Sequence, residues 1–331
     1  MRERDAWRAG LLSLALALAV RLGPAAVRGL ERRSFPEQAD AFLLYLQTGL
    51  RQASTAPLPL YYAPESSGPE TVREAAPVLL SRRETPEKPV FTAEDGAAVL
   101  LDNDAGVSPD VEDLIQLAPD FPAADGPKVL IYSTHTTESY TKSGENYIET
   151  AAYRTLDRGF NMLSLGRALE EALARRGIGV IRDEGLHDYP SYNSAYVSSR
   201  KSAEAYLEEF PSLALVLDLH RDATAGTRQL RPLAQTASGT SAKIMLVVGT
   251  DAGGRSHPNW DKNLSLALRL QTLLERASPG ITRPLNLRPQ RFNQDLSPGA
   301  LLVEIGGAGN THEEALAAVE ILADGLAGLL S

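Results

Sequence analysis

Three short apolar runs of the sequence are each followed by side chains that can ligate a metal or transfer a proton. His135 and Glu138 follow residues 129–132, His220 follows residues 213–219, and Glu304 follows residues 300–303. Each run has the length and composition of one buried β-strand. Because ligands bind at the carboxyl ends of strands in parallel α/β sheets, we expect these side chains to lie together at one edge of a sheet.

The residue types and their order are typical of a zinc hydrolase. A His-x-x-Glu turn can bring an imidazole nitrogen and a carboxylate oxygen, both good zinc ligands, onto one ion. A histidine and then a glutamate far downstream complete the order of a site with three protein ligands and one general base. A single histidine or glutamate at a strand end is usually only solvated. Three such strand ends in a chain with five histidines favour the catalytic interpretation.

The overall composition limits the classes of protein and of site. The chain has 331 residues, of which 43% are hydrophobic and 23% are charged, as in one ordinary domain with accessory segments. A formal net charge of −9 argues against nucleic acid as the main partner. Because the chain has no cysteine, any metal must be held by histidines and carboxylates.

The first 126 residues differ in pattern from the rest. Residues 1–26 hold a basic start and an apolar core at residues 9–20, the pattern of a cleaved signal peptide or an uncleaved signal anchor. Such a segment places the chain on the outer face of the cytoplasmic membrane or exports it. Residues 27–126 are rich in proline and predict a spacer with short local elements, the alternative being a proline-rich lobe of the folded domain.

Residues 127–331 are predicted to be the catalytic domain. Strands are predicted at residues 129–132, 178–181, 213–219, 243–248 and 300–303, and helices at residues 161–175, 195–210 and 259–276, with a final helix that ends near residue 329. Residues 285–298 are expected to be irregular. This alternation predicts an α/β fold with a single, mostly parallel sheet and helices on both faces.

Five stretches of this region resemble the stage II sporulation protein P family of cell-wall amidases. They are VLIYSTHTTESY (129–140), HDYPSYNSAY (187–196), LDLHRDAT (217–224), MLVVGTD (245–251) and RFNQDLSPGALLVEIGGAGNT (291–311). The last stretch is long and specific, whereas HTTES alone would be weak. The resemblance covers the chain from about residue 128 onwards, and earlier residues resemble the family only in layout.

The resemblance implies a zinc-dependent N-acetylmuramoyl-L-alanine amidase with a zinc amidase-like fold. Such an enzyme cuts the amide between N-acetylmuramic acid and the L-alanine of the stem peptide in peptidoglycan. The resemblance also implies an accompanying endopeptidase activity and a setting in sporulation and engulfment. There the enzyme would act together with a glycan-cleaving sporulation protein and a membrane scaffold. A zinc carboxypeptidase or other peptidoglycan peptidase is the alternative, and a non-catalytic wall-binding scaffold is a further one.

The resemblance also assigns roles to residues. It implies that His135, Glu138 and His220 hold Zn²⁺ and that Glu304 is the general base. In the wider group of zinc amidases the ligand glutamate comes later in the chain, so Glu145 and Glu149 are alternatives to Glu138, and Asp157 ranks below them.

Other polar residues near these motifs are candidates for supporting roles. Arg221, Asn293 and Gln294 are candidate substrate-binding residues, although Arg221 could equally be a surface charge and the other two could cap loops. Asp218 lies two residues before His220, on the same face of a strand. It could therefore orient a metal ligand or pair with Arg221.

Overall fold

Seven strands form the central sheet of the computed structural model, which describes residues 79–80, 88–141, 153–224 and 229–331. The strands of this sheet, in chain order, are β4 (Leu101–Asn103), β5 (Val129–Tyr132), β6 (Val180–Arg182), β7 (Leu215–Asp222), β11 (Ile244–Gly249), β12 (Leu285–Arg288) and β13 (Ala300–Gly307). Short strands lie outside it: β1 (Leu79–Leu80), β2 (Phe91–Thr92), β3 (Ala98–Val99), β8 (Leu230–Arg231), β9 (Leu233–Thr236) and β10 (Gly239–Ala242).

The strand order across the sheet is β4-β12-β11-β13-β7-β5-β6. Every neighbouring pair in it is parallel except β11 and β13, which are antiparallel. The predicted α/β fold with a mostly parallel sheet is therefore confirmed. The antiparallel pair means that β5, β6, β7 and β13 present their carboxyl ends at one edge, while β4, β11 and β12 end at the other.

Five α-helices cover the sheet: α1 (Val111–Gln116), α2 (Met162–Arg175), α3 (Ala195–Glu209), α4 (Trp260–Ala277) and α5 (His312–Leu330). Because side chains alternate along a strand, one face of the sheet buries Leu217 and Val303 in a large core with α2, α4 and α5. The opposite face carries Val216 and packs in a smaller cluster against α3. That opposite face also carries Asp218 and His220, so the polar residues of β7 lie on the less covered face.

Residues 88–126 differ from the spacer expected there. β4 pairs with β12 as an edge strand of the central sheet, and α1 lies against α4. These residues support the alternative, a proline-rich lobe of the folded domain. β4 escapes sequence analysis because its apolar content is one leucine followed by Asp102 and Asn103, which gives no strand-type run.

Two further observations concern residues 285–298 and residues 1–26. Residues 285–298, expected to be irregular, include β12, whose polar Asn286 interrupts the apolar pattern. The signal-type segment at residues 1–26 lies outside the described residues. Among the helices that the structure describes, none is both long enough and apolar enough to span a membrane.

Helix α5 begins with a capping box, for which we predict a measurable loss on substitution. The Thr311 hydroxyl accepts the Glu314 N–H at 3.3 Å, and the Glu314 carboxylate accepts the Thr311 N–H at 3.0 Å. Thr311→Ala removes the first of these bonds and should lower the free energy of unfolding by about 1 kcal/mol. Thr311→Ser keeps a hydroxyl and is the control. Denaturant unfolding that gives equal stability for the alanine variant and the parent would contradict the prediction.

Candidate active site

His135, His220 and Glu304 meet at the carboxyl edge of β5, β7 and β13. The imidazole rings of His135 and His220 have centroids 5.2 Å apart and stand at 83° to each other. Glu304 is the register partner of His220, so both side chains project from the same face of the sheet. His220 and Glu304 lie inside their strands rather than just after them, because β7 and β13 are longer than predicted.

Three buried polar atoms at this edge have no hydrogen-bond partner among the described residues. They are His135 Nδ1, His220 Nε2 and Glu304 Oε2. His220 Nε2 lies 3.0 Å from Asp218 Oδ1, an ion-pair contact that does not meet hydrogen-bond geometry. Since buried polar atoms are normally paired, these atoms mark a place for a further binding partner. Imidazole nitrogens are donors that zinc accepts, so the two histidines fit that metal, and the carboxylate beside them fits a proton acceptor.

The electrostatics of the three side chains differ. Burial lowers the pKa of His135 well below its ordinary value, which favours the neutral imidazole. Burial acts in the same direction on His220, but Asp218 and Glu138 outweigh it and hold the pKa of His220 well above its ordinary value. Burial raises the pKa of Glu304 to about 8. A cation at this edge would favour the ionised carboxylate of Glu304 instead.

Aromatic side chains hold the His135 ring in place. Tyr192 stacks on it at a centroid distance of 4.5 Å and an angle of 8°, and Tyr196 meets it edge-on at 5.5 Å. The Arg154 guanidinium lies over the Tyr192 ring, 4.7 Å from its centroid. His135 therefore occupies one orientation between two tyrosines from the start of α3.

Glu138 lies among positive groups. Its Oε1 is 3.3 Å from Arg154 Nη2 and 3.6 Å from Arg221 Nη1, and its Oε2 accepts the Arg221 backbone N–H at 3.2 Å. The same Oε2 is 3.5 Å from His220 Nδ1. Burial alone would raise the pKa of Glu138, but Arg221, His220 and Arg154 together hold it well below its ordinary value. Glu138 is therefore a buried, ionised carboxylate.

Asp218 occupies a second fixed position beside His220. Its two oxygens accept the Thr134 backbone N–H at 2.7 Å and the Thr134 hydroxyl at 2.6 Å. These bonds tie β7 to the turn that carries His135. Arg221 contacts Glu138 and the carbonyl oxygens of Ser139 and Tyr153. These contacts match an orienting role for Asp218 rather than a pair with Arg221.

Sequence analysis missed Arg154 and Asp188, which complete the support of this turn. Asp188 accepts hydrogen bonds from the Thr137 hydroxyl at 2.7 Å and from Arg154 Nη1 at 2.5 Å. Both charged residues are buried. Asp188 belongs to the HDYPSYNSAY stretch, which is a usable signal, whereas no local sequence pattern marks Arg154.

The three candidate substrate-binding residues have partners within the chain. Arg221 is 4% exposed and faces Glu138, so it is not the surface charge considered as its alternative. Asn293 donates to the Tyr196 carbonyl at 2.9 Å, and Gln294 bonds the Gly249 N–H and the Val247 carbonyl at 2.7 and 2.8 Å. Those bonds of Asn293 and Gln294 are what the loop-capping alternative predicts, and substrate binding by these residues stays a prediction.

The remaining histidines have other side-chain partners or none, although the His187 N–H donates to the Thr136 hydroxyl at 3.2 Å in the turn that carries His135. His187 bonds Asp183 at 2.7 Å and Ser198 at 2.9 Å, and His312 bonds the Ser164 hydroxyl at 2.7 Å. His257 is buried near the start of α4 with both ring nitrogens lacking a partner among the described residues, and burial lowers its pKa to about 4.

The ligand set predicted from the sequence stays a prediction. Within the described ranges, no three histidine or acidic side chains are arranged as a group that could hold a metal ion. Glu145 and Glu149, the alternatives to Glu138, lie outside the described residues. Asp157 is exposed, and its Oδ1 accepts the Gly159 N–H at 2.8 Å in the turn before α2.

Comparisons with known proteins bear on the larger part of the chain. The family model for Stage II sporulation protein P (SpoIIP) matches residues 86–327. The Stage II sporulation protein P of Bacillus subtilis (strain 168) is 29% identical over 214 residues, which are 59% of this chain and 49% of that protein. The chain therefore spans about half the length of this curated relative.

The solved structures that resemble this chain have lower sequence identity to it. An N-acetylmuramoyl-L-alanine amidase from Clostridium difficile 630 has a TM-score of 0.35 at 16% identity, covering 62% of this chain and 96% of its own. The apo form of the N-acetylmuramyl-L-alanine amidase Ami1 from Mycobacterium abscessus has a TM-score of 0.38 at 14% identity. The match covers 63% of this chain and 100% of that one. Structural similarity at this level gives no evidence on the activity or the site residues of this chain.

Proposed function

The chain belongs to the stage II sporulation protein P family, and on that basis we propose that it is a zinc-dependent N-acetylmuramoyl-L-alanine amidase. It hydrolyses the amide between N-acetylmuramic acid and the L-alanine of the stem peptide in peptidoglycan. The observation that carries the proposal is the meeting of His135, His220 and Glu304 at one sheet edge, each with a buried polar atom that lacks a partner among the described residues.

His135 and His220 are the residues that would hold the zinc. Zinc, when bound, lowers the pKa of a water at its open position toward 7 and polarises the amide carbonyl. Glu304 accepts the proton of the attacking water on its carboxylate and passes it to the leaving nitrogen. Tyr192 and Tyr196 keep the His135 ring in its orientation, and Asp218 fixes the turn that carries it.

Glu138 fits an orienting role better than the role of third ligand predicted from the sequence. A carboxylate accepts about four hydrogen bonds. Glu138 already accepts them from Arg154 Nη2 and the Arg221 backbone N–H, and Arg221 Nη1 and His220 Nδ1 lie 3.6 and 3.5 Å from it. A carboxylate at one ring nitrogen of a metal-binding histidine sets its tautomer and directs the other nitrogen to the metal. In this proposal Glu138 therefore acts on the metal through His220.

The setting follows from the same family membership. We propose that the protein acts on glycan strands and stem peptides outside the cytoplasmic membrane, during wall remodelling in sporulation, beside a glycan-cleaving protein and a membrane scaffold. The accompanying endopeptidase activity belongs to the same proposal.

Digestion of purified sacculi tests the reaction. The full-length protein with Zn²⁺ should release intact stem peptides that begin with L-alanine and leave peptide-free glycan, as identified by mass spectrometry. Glu304→Gln protein is the matched control and should release neither. Peptide fragments without any peptide-free glycan would favour the peptidase alternative and contradict the amidase proposal.

A further inference from the structure

Two consecutive residues after β12, neither of them glycine, adopt left-handed backbone conformations. Phe292 has a φ of 49° and Asn293 a φ of 59°. Asparagine tolerates this region because its short polar side chain bonds locally, whereas phenylalanine is disfavoured there by its Cβ. Strained conformations of this kind persist only where the surrounding structure fixes them.

The neighbouring side chains supply that restraint. Asn293 Nδ2 donates to the Tyr196 carbonyl at 2.9 Å and approaches the Ser199 hydroxyl at 3.3 Å, which ties the loop to α3. Gln294 bonds the Gly249 N–H and the Val247 carbonyl, which ties it to β11. The loop is therefore held from both sides, and the ring of Phe292 is the group whose position these bonds determine.

Phe292 extends a continuous row of aromatic rings that starts at the candidate active site. Its ring lies 6.1 Å from that of Tyr196, which is 5.5 Å from His135, and His135 is 4.5 Å from Tyr192. We call Tyr192, Tyr196 and Phe292 the aromatic row. All three residues are half-buried, and the Tyr192 ring has His135 stacked on it and the Arg154 guanidinium over it.

Apolar packing alone does not account for the phenylalanine. Its inner side covers the small cluster of Met245, Val247 and Leu302 on the less covered face of the sheet. A leucine would cover that cluster as well, with no need for a flat ring. What the aromatic ring adds is a flat, uncharged face beside Tyr196, tilted by 46° to the Tyr196 ring.

We propose that the aromatic row is a subsite for a neutral N-acetylated sugar ring of the glycan strand. Pyranose rings present C–H groups on a flat face, which pack on aromatic faces, and the three rings of the row are themselves uncharged. The bond to be cut lies on a substituent of such a sugar, so a sugar beside His135 places that bond at the zinc-binding edge. This inference rests on the proposed function and names the part of the substrate that the row binds.

Binding of a peptide-free sugar tests the subsite apart from catalysis. The probe is chitotetraose, titrated by isothermal calorimetry and saturation-transfer NMR into the full-length chain carrying Glu304→Gln, where no turnover occurs. Phe292→Leu keeps the apolar contact with the cluster and removes the flat face, so Kd should rise about fivefold, within the range of one lost aromatic contact. Phe292→Tyr should bind within about twofold of the parent, by the same reasoning.

A matched control separates the subsite from general effects of removing a ring. Phe160 is also half-buried, and it contacts His312 rather than the aromatic row. Phe160→Leu should leave the Kd for chitotetraose unchanged. Equal affinity for Phe292→Leu and Phe160→Leu, or no binding of chitotetraose to the parent, would overturn the subsite. Weakened binding of a free stem peptide by Phe292→Leu, with chitotetraose unaffected, would overturn it too.

The two proposals fail in different experiments. Wild-type protein that leaves sacculi intact would refute the amidase while the sugar titrations in the Glu304→Gln background still decide the subsite. Conversely, peptide-free glycan among the products together with unchanged sugar binding by Phe292→Leu would keep the amidase and remove the subsite.

Discussion

Glu304→Gln is expected to keep zinc at the stoichiometry of the parent while release of stem peptide from sacculi falls by about 10²–10⁴-fold, the usual worth of a positioned acid or base. The substitution keeps the shape and approximate volume of the side chain but removes its ability to accept a proton. Glu304 enters the site from β13, and His220 enters from β7. Zinc analysis of the dialysed protein, beside product release, measures both quantities.

His220→Ala is the contrasting variant. It removes an imidazole ligand, so both zinc content and activity should be lost together. Loss of zinc from Glu304→Gln would make Glu304 a ligand and require new roles for the acidic residues. Full activity of Glu304→Gln would refute the proton transfer proposed for it.

Glu138→Gln should lower the free energy of unfolding of the zinc-free protein by about 3–5 kcal/mol, the usual cost of removing one partner from a buried ion pair. The reason is that Arg154 and Arg221 both lose the charge of Glu138, while Arg154 keeps its ion pair with Asp188. Zinc should still bind at saturation, with an affinity about 10–100-fold weaker, as for other residues that orient a ligand. Denaturant unfolding and competition with a zinc chelator measure the two effects.

The protonation of His220 gives a third readout that general destabilisation would not change. Because Glu138 helps to hold the pKa of His220 above its ordinary value, nitrogen NMR of the zinc-free protein should show a lower pKa of His220 in Glu138→Gln. Glu313→Gln is the control, because Glu313 lies in the first turn of α5 and is absent from the contacts of the site. Zinc binding abolished even at saturation would identify Glu138 as a ligand, as the sequence predicted.

The parts of this fold that were predictable are those encoded in local apolar runs. β5 was predicted with its observed bounds, and His220 and Glu304 were found because each follows a run of buried residues. β4 and β12 were missed because their polar residues break that pattern, although pairing in the sheet stabilises them.

The residues that hold the site in place were harder to predict from the sequence, because their contacts join distant parts of the chain. Arg154 reaches Glu138 and Asp188 across 16 and 34 positions of sequence. A polar side chain such as Gln294 looks equally suited to binding substrate and to fixing a loop until its partners are known. Its bonds to β11 span 45 and 47 positions.

The place of β7 and β13 within the sheet separates the site into a rigid part and an adjustable part. At Glu304 the strand β13 is paired on both sides, with β7 and with β11, and at His220 the strand β7 is paired with β13. The backbone at these two residues therefore opens only when the sheet itself comes apart. His135 lies instead on a turn beyond β5, where its position depends on side chains rather than on strand pairing. Capture of an ion therefore requires adjustment of one turn against a preformed half-site, and the entropy lost on binding is confined to that turn.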